Sequence, residues 1–166
     1  MSEETVRAGM SEGEMRANAV RLAFGGDERR FQAFCEAIRQ VVPPETAAVL
    51  RGSAVTGSRW EDGAPFDAEG PGSSDLDLTF VGSEVLVLFD PANGFYVPGV
   101  HTKPLCDDQL EIAPVLVPLR RKLSELAGRP VNIQATRDWW MFLRERLQRQ
   151  PYLTLVGKLA EEGAAT

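Results

Sequence analysis

The 166-residue sequence predicts an α/β (α+β) domain, a small mixed β-sheet flanked by helices. Two kinds of segment point to this class. Short apolar or alternating stretches, at 46–51, 75–81 and 131–135, have the two-residue period of strands. Between and beyond them lie stretches with apolar residues three and four apart, the period of an amphipathic helix. Strands interleaved with helices argue for a layered sheet-and-helix domain rather than a bundle or a sandwich.

Composition fits that class. Hydrophobic residues make up 43% and charged residues 25%, ordinary values for a chain with a real core. The net charge is −6 and the pI about 4.9, which argues against a broad DNA-binding surface. A local pocket for a small anion is not excluded by this. No apolar run is long enough to span a membrane, and the polar, acidic N-terminus lacks the pattern of a secretory signal. The expectation is a cytoplasmic protein with no membrane partner. Cys35 and Cys106 have no metal-ligand spacing and read as reduced thiols; His101 is the single histidine, so a His-rich metal site is excluded.

In chain order, residues 1–26 read as an acidic, partly helical N-terminal segment. Gly9 and Gly13 interrupt its first part, and a short helix is expected over Ala17 to Phe24, ending at Gly25-Gly26. Residues 27–157 form the expected domain. Asp27 fits an N-cap, and Phe31, Phe34, Cys35, Ile38 and Val41 share one helical face before Pro43-Pro44 stops the helix. Thr46 to Arg51 reads as a buried strand that breaks at Gly52-Ser53, and Ser53 is placed to cap a helix running to Ser58. The segment from Gly57 to Ser74 is a long loop with four glycines and two prolines. Asp75 to Val81 alternates, so Leu76, Leu78 and Phe80 face one way and Asp75, Asp77, Thr79 and Val81 the other. Glu84 to Phe89 fits either a strand or a short helix. Asp90 to Asp108 reads as loop. Leu116, Leu119, Leu123 and Leu126 mark a helix closed by Gly128, and Val131 to Ala135 a strand. Asp138 opens a helix that Pro151 ends, with Trp139, Phe142, Leu143 and Leu147 inward and Arg144, Arg146 and Arg149 outward. Tyr152 to Val156 is an apolar docking segment, and 158–166 a flexible tail.

The chemistry-bearing residues cluster between Val49 and Gly82. Asp75 and Asp77, two apart on a strand, share a face with Cα atoms roughly 6.5–7 Å apart, within reach of one divalent cation. The pair alone reads more readily as a solvated strand face than as a metal site. The rest of the strand is strongly apolar, however, so carboxylates there need a compensating partner. The preceding Gly52-Ser53 turn offers backbone N–H groups of the kind that hold phosphate. The combination, rather than either half, carries information.

The pattern Leu50-Arg51-Gly52-Ser53, Thr56-Gly57 and Ser74-Asp75-Leu76-Asp77-Leu78 resembles the DNA polymerase β-like nucleotidyltransferase superfamily, in particular its compact bacterial members with a later GRPVN-type strand. The resemblance covers about half the chain, roughly Val49 to Gln134. It implies the minimal nucleotidyltransferase fold and a metal-dependent enzyme that moves an NMP from a nucleoside triphosphate such as ATP to a protein, RNA or small-molecule acceptor. Gly52 and Ser53 would bind the triphosphate. Asp75 and Asp77 would hold Mg²⁺ (or Mn²⁺) and act as the catalytic carboxylates. Arg51, Arg59 and Lys103 are cations that can meet phosphate, or else solvated surface charges.

The sequence departs from the family's pattern twice. The segment between Gly-Ser and Asp-x-Asp is longer than usual and carries Trp60 and Phe66, placed either to stack on a base or to pack the loop. The third carboxylate of active members is expected on the neighbouring strand, where this chain has Val131-Asn132-Ile133-Gln134. Asn132 takes that metal position with an amide, which can ligate but supplies neither charge nor base. Glu111, Asp90 and Asp138 are candidate substitutes that spacing does not separate. A catalytically impaired module that binds nucleotide or a protein partner is therefore the alternative expectation.

Overall fold

A computed structural model describes residues 10–159. The elements are α1 (Glu12–Phe24), α2 (Glu28–Val41), β1 (Ala47–Arg51), α3 (Ser53–Thr56), β2 (Leu76–Val81), β3 (Phe95–Val97), β4 (His101–Thr102), α4 (Val117–Ala127), β5 (Val131–Thr136), α5 (Trp139–Glu145) and β6 (Tyr152–Val156), with short 3₁₀ turns at Val85–Leu88, Asp107–Ile112 and Pro114–Leu116. The six strands form one mixed sheet in the order β3-β4-β5-β2-β1-β6. β2 runs antiparallel to β1 and parallel to β5. The predicted class, a small mixed sheet flanked by helices, is the class observed.

The sheet's two faces are covered differently, and this exposes the candidate site. On one face Leu50, Leu76, Leu78, Phe80, Ile133 and Ala135 are fully buried against Ala23 and Phe24 of α1, Phe34 and Ile38 of α2 and Leu119 and Leu123 of α4. Each such large side chain contributes about 1.5–3 kcal/mol of burial free energy. The other face is apolar at only one end, where Val49 packs with Trp139, Phe142, Leu143 and Leu147, and Val81 joins them. The remainder of that face carries Arg51, Asp77, Thr79, Asn132 and Gln134, as the alternation of β1, β2 and β5 requires.

Several boundaries differ from the sequence expectation. α1 begins at Glu12 rather than Ala17, because Ser11 caps it by accepting the Glu14 N–H and the acidic first turn outweighs Gly13. It contributes Ala19, Val20, Ala23 and Phe24 to the main core. Residues 1–9 of the acidic segment, and 160–166 of the tail, lie outside the described residues. Asp27 caps α2 as expected, but Val41 ends on the surface at the helix's last position. Glu84 to Phe89 resolves into a 3₁₀ turn.

The stretch Asp90 to Asp108 is not all loop. It contains β3 and β4, an antiparallel edge pair two or three residues long, too short to leave a periodic signal. α5 stops at Glu145 rather than continuing to Pro151; Gln148 and Arg149 have positive φ, and Leu147 still reaches the core. Arg144, Arg146 and Arg149 face outward as expected. Tyr152–Val156 is a sheet strand pairing with β1, not merely a docked segment. No helix among the described residues is long and apolar enough to cross a membrane.

Candidate functional site

The end of β1, the turn after it and the start of β2 meet in a cavity of about 250 Å³. Its walls include Arg51, Gly52, Ser53, Asp75 and Asp77, together with Trp60, Glu61 and Ser74 from the long loop. The turn works because Gly52 has φ +96°, a conformation costly for any residue with a Cβ. A Cβ there would make only ordinary contact, 3.6 Å from Asp77 Oδ2, so it is the backbone angle rather than space that calls for glycine. Gly52, not Ser53, is the N-cap of α3, and α3 is a single turn ending at Thr56 rather than Ser58. Ser53 is thus the first helical residue. So short a helix adds little dipole, and the turn itself must supply any anion contacts.

Asp77 lies directly across from Arg51 on β1 and beside Asn132 on β5. The Asn132 amide nitrogen donates to Asp75 Oδ2 at 3.1 Å and, more weakly, to Asp77 Oδ1 at 3.5 Å. One neutral donor therefore holds two anions together. The Arg51 guanidinium stands 3.9 Å from Asp77 Oδ2. It is fixed there by a 2.6 Å bond from Arg51 to the Gln134 side-chain oxygen and a long one to Thr79. Gln134 in turn donates to the Thr102 carbonyl, so a polar line runs across β1, β2, β5 and β4.

Burial raises the Asp77 pKa above the ordinary carboxylate range, with Arg51 and the Asn132 bond pulling the other way. Burial likewise lowers that of Arg51, opposed by Asp77 and Glu61. Both follow from removing charge from water on a half-covered sheet face.

The remaining sequence candidates fall in different places. Lys103 is not among the residues lining the cavity; it follows β4, and its backbone N–H is bound to the Gly94 carbonyl. Arg59 does line it, within ion-pair reach of Asp62 and Glu69. His101 and Thr102, expected in a loop, are buried in β4; the His101 Nδ1 shares a 2.7 Å bond with Thr136 Oγ1, and burial lowers the histidine's pKa. The two loop aromatics part company. Trp60 lines the cavity, whereas Phe66 packs inside under the Arg129 guanidinium.

None of the three suggested substitutes for the third carboxylate reaches the site. Asp138 caps α5, Asp90 organises the turn at Ala92 and Asn93, and Glu111 lies in the 3₁₀ turn Asp107–Ile112; none of them lines the cavity. The acidic residues that line the cavity besides Asp75 and Asp77 are Glu61 and Glu69, both from the long loop. Sequence spacing could not single them out, because the loop's path depends on tertiary contacts. Among the described residues no three His, Cys, Asp or Glu side chains form a metal-binding group. Asn132 is not among the residues lining the cavity, and it turns its amide nitrogen rather than its oxygen toward Asp75 and Asp77.

No family model, curated protein or solved structure matches the chain.

Proposed function

We propose that the chain is a metal-dependent nucleotidyltransferase of the DNA polymerase β-like kind, moving an NMP from a nucleoside triphosphate to an acceptor. The observation that supports it most is the meeting of the Gly52-Ser53 turn and the Asp75/Asp77 pair in one cavity. The family rests on the sequence resemblance; supporting the reading, the strand with Asp-x-Asp, β2, has the strand that leads into the Gly-Ser turn on one side and the strand with Asn132 on the other.

The donor set fits a hard cation. Carboxylate and amide oxygens suit Mg²⁺ or Mn²⁺, and a divalent ion there would orient the phosphates and offset charge on the transferred phosphorus. Asp75 and Asp77 would hold it, with Asn132 contributing its carbonyl once the amide turns over. Gly52 would let the phosphates approach the backbone, and the Ser53 hydroxyl would donate to them. The acceptor oxygen would attack the α-phosphorus and pyrophosphate would leave. An amide takes no proton, so the acceptor's proton would go to water or to one of the carboxylates lining the cavity rather than to Asn132. The cavity, about 250 Å³, falls below the usual size of ligand sites, which run roughly 300–1,000 Å³. It would therefore enclose the phosphates rather than a whole triphosphate with its acceptor. The net charge of −6 favours a protein or small-molecule acceptor over long nucleic acid.

Asn132 favours one second reading, a module that binds nucleotide or a protein partner without turnover. Labelled NTPs with Mg²⁺ or Mn²⁺ and candidate acceptors test the first: label transfer that Asp77→Asn abolishes is expected, and transfer indifferent to that change refutes it. Calorimetry with NTP and Mg²⁺ separates the second, for which binding without transfer is the expected result.

A further inference from the structure

The long loop from Gly57 to Ser74 is tied to the domain by Phe66, which packs in the main core, and by one buried arginine. Arg129 follows Gly128, the left-handed C-cap of α4, and precedes β5. Its side chain is 8% exposed. One terminal nitrogen donates to Asp67 Oδ1 at 2.7 Å and to the Ser74 carbonyl at 3.0 Å; the other donates to Asp67 Oδ2 at 3.1 Å. The guanidinium also lies over the Phe66 ring, 4.4 Å from its centroid. Asp67 closes the knot by accepting the Gly72 and Ser74 N–H groups, while its own N–H donates to Ser74 Oγ.

Two features point beyond simple packing. Asp67 has φ +57°, and the Arg129 Nε is buried without a hydrogen-bond partner among the described residues, so the arrangement carries local costs. An apolar plug would tether a loop at least as stably as a buried ion pair. What the arginine fork adds is direction, because it fixes two acceptors in one plane. One of them is the carbonyl of Ser74, the residue joined to Asp75.

We propose that Arg129 is a positioning residue for the candidate site: acting through Asp67 and the Ser74 carbonyl, it sets the Asp75 carboxylate against Asn132 and holds the loop wall of the cavity. The placement of Asp75 stands on the structure alone; only its consequence for cation binding rests on the nucleotidyltransferase reading.

The test follows the Asn132 side-chain amide by NMR in the full chain, comparing wild type with Arg129→Lys and Asp67→Asn. Arg129→Lys keeps the charge and loses the fork. In both variants the Asn132 NH₂ signals are expected to move toward those of an exposed amide, and hydrogen exchange to accelerate across 57–75, while the Leu78 and Ile133 amides keep their shifts. The double variant is expected to match the worse single one, because both remove the same interaction. Unchanged Asn132 signals with an accelerated loop would overturn the proposal, leaving Arg129 a tether only. Global unfolding of Arg129→Lys would overturn it too, by assigning the pair to the core.

A Mn²⁺ titration in the same samples reads the consequence. At least tenfold weaker binding in both variants is expected. If wild type binds no Mn²⁺ while the Asn132 signals move as described, the metal-site reading fails and the positioning role stands.

Discussion

Replacing Asn132 by Asp tests the electrostatics of the site most directly. The side chains have nearly the same shape, so the new oxygen takes the place of an amide nitrogen lying 3.1 Å from Asp75 Oδ2 and 3.5 Å from Asp77 Oδ1. An attraction becomes a repulsion. Two unit charges about 4 Å apart repel by roughly 4 kcal/mol at an effective dielectric of 20, and the lost hydrogen bonds add about 1 kcal/mol. Arg51, 3.9 Å from Asp77, offsets part of this, and a carboxylate can relieve more by taking up a proton. The expected net cost at pH 7 is about 2–4 kcal/mol. Its sign with pH is fixed. Crowding raises the folded pKa of the acids, so stability is lost as pH rises through that raised value and recovered below the unfolded value. Urea denaturation of Asn132→Asp and wild type at pH 7 and pH 4 measures it. Mg²⁺ or Mn²⁺ should then stabilise the variant more than wild type, because three carboxylates now face one cation. If Asn132→Asp matches wild type at pH 7 without metal, the three side chains are not in contact and the account of the site is wrong.

Two further outcomes follow from groups away from the cavity floor. The Arg129 hydrogen bond lowers the Asp67 pKa from 3.8 to about 2. That difference is about 2 kcal/mol of stability, present above the unfolded pKa and lost as pH falls through about 2. Urea midpoints should accordingly show Asp67→Asn less stable than wild type at neutral pH by up to about 2 kcal/mol, solvent screening of the partly exposed carboxylate reducing the figure, with the gap closing toward pH 2. Gly157, at the end of β6, has φ +72°, and a Cβ there would come within 2.8 Å of the Thr46 carbonyl oxygen. Gly157→Ala should cost about 2 kcal/mol or more by combining left-handed strain with a backbone clash, measured as a fall in thermal midpoint.

The legible parts of the fold were those with local causes. Asp27, Gly128 and Asp138 act as caps through contacts within a few residues, and the alternation of β2 separates Leu76 from Asp77 without help from the rest of the chain. The face-sharing of Asn132 and Gln134 was legible for the same reason. What could not be read is what depends on partners far along the chain. β3 and β4 are strands because β5 offers an edge, not because two or three residues favour that state. α5 ends early where Gln148 and Arg149 turn left-handed, without a glycine to announce it. In the site, the sequence placed Asp75, Asp77 and the Gly52 turn near one another. It could not show that Arg51 is spent on Gln134 and Asp77, or that Glu61 and Glu69 are brought to the same cavity by a loop anchored at Arg129.

The bond from Asn132 to its two acidic neighbours also has a temporal consequence. Neighbouring carboxylates with nothing between them would swing apart and have to be gathered again for each cation. Here a neutral amide keeps them together. Were the site to take the cation proposed above, that amide would need only a half-turn about its last bond, which exchanges a donor for an acceptor. Side-chain rotations of this size take picoseconds to nanoseconds where they are unhindered. Loading would then be paced by diffusion of the ion and release of its water, with no slow rearrangement of the chain ahead of it.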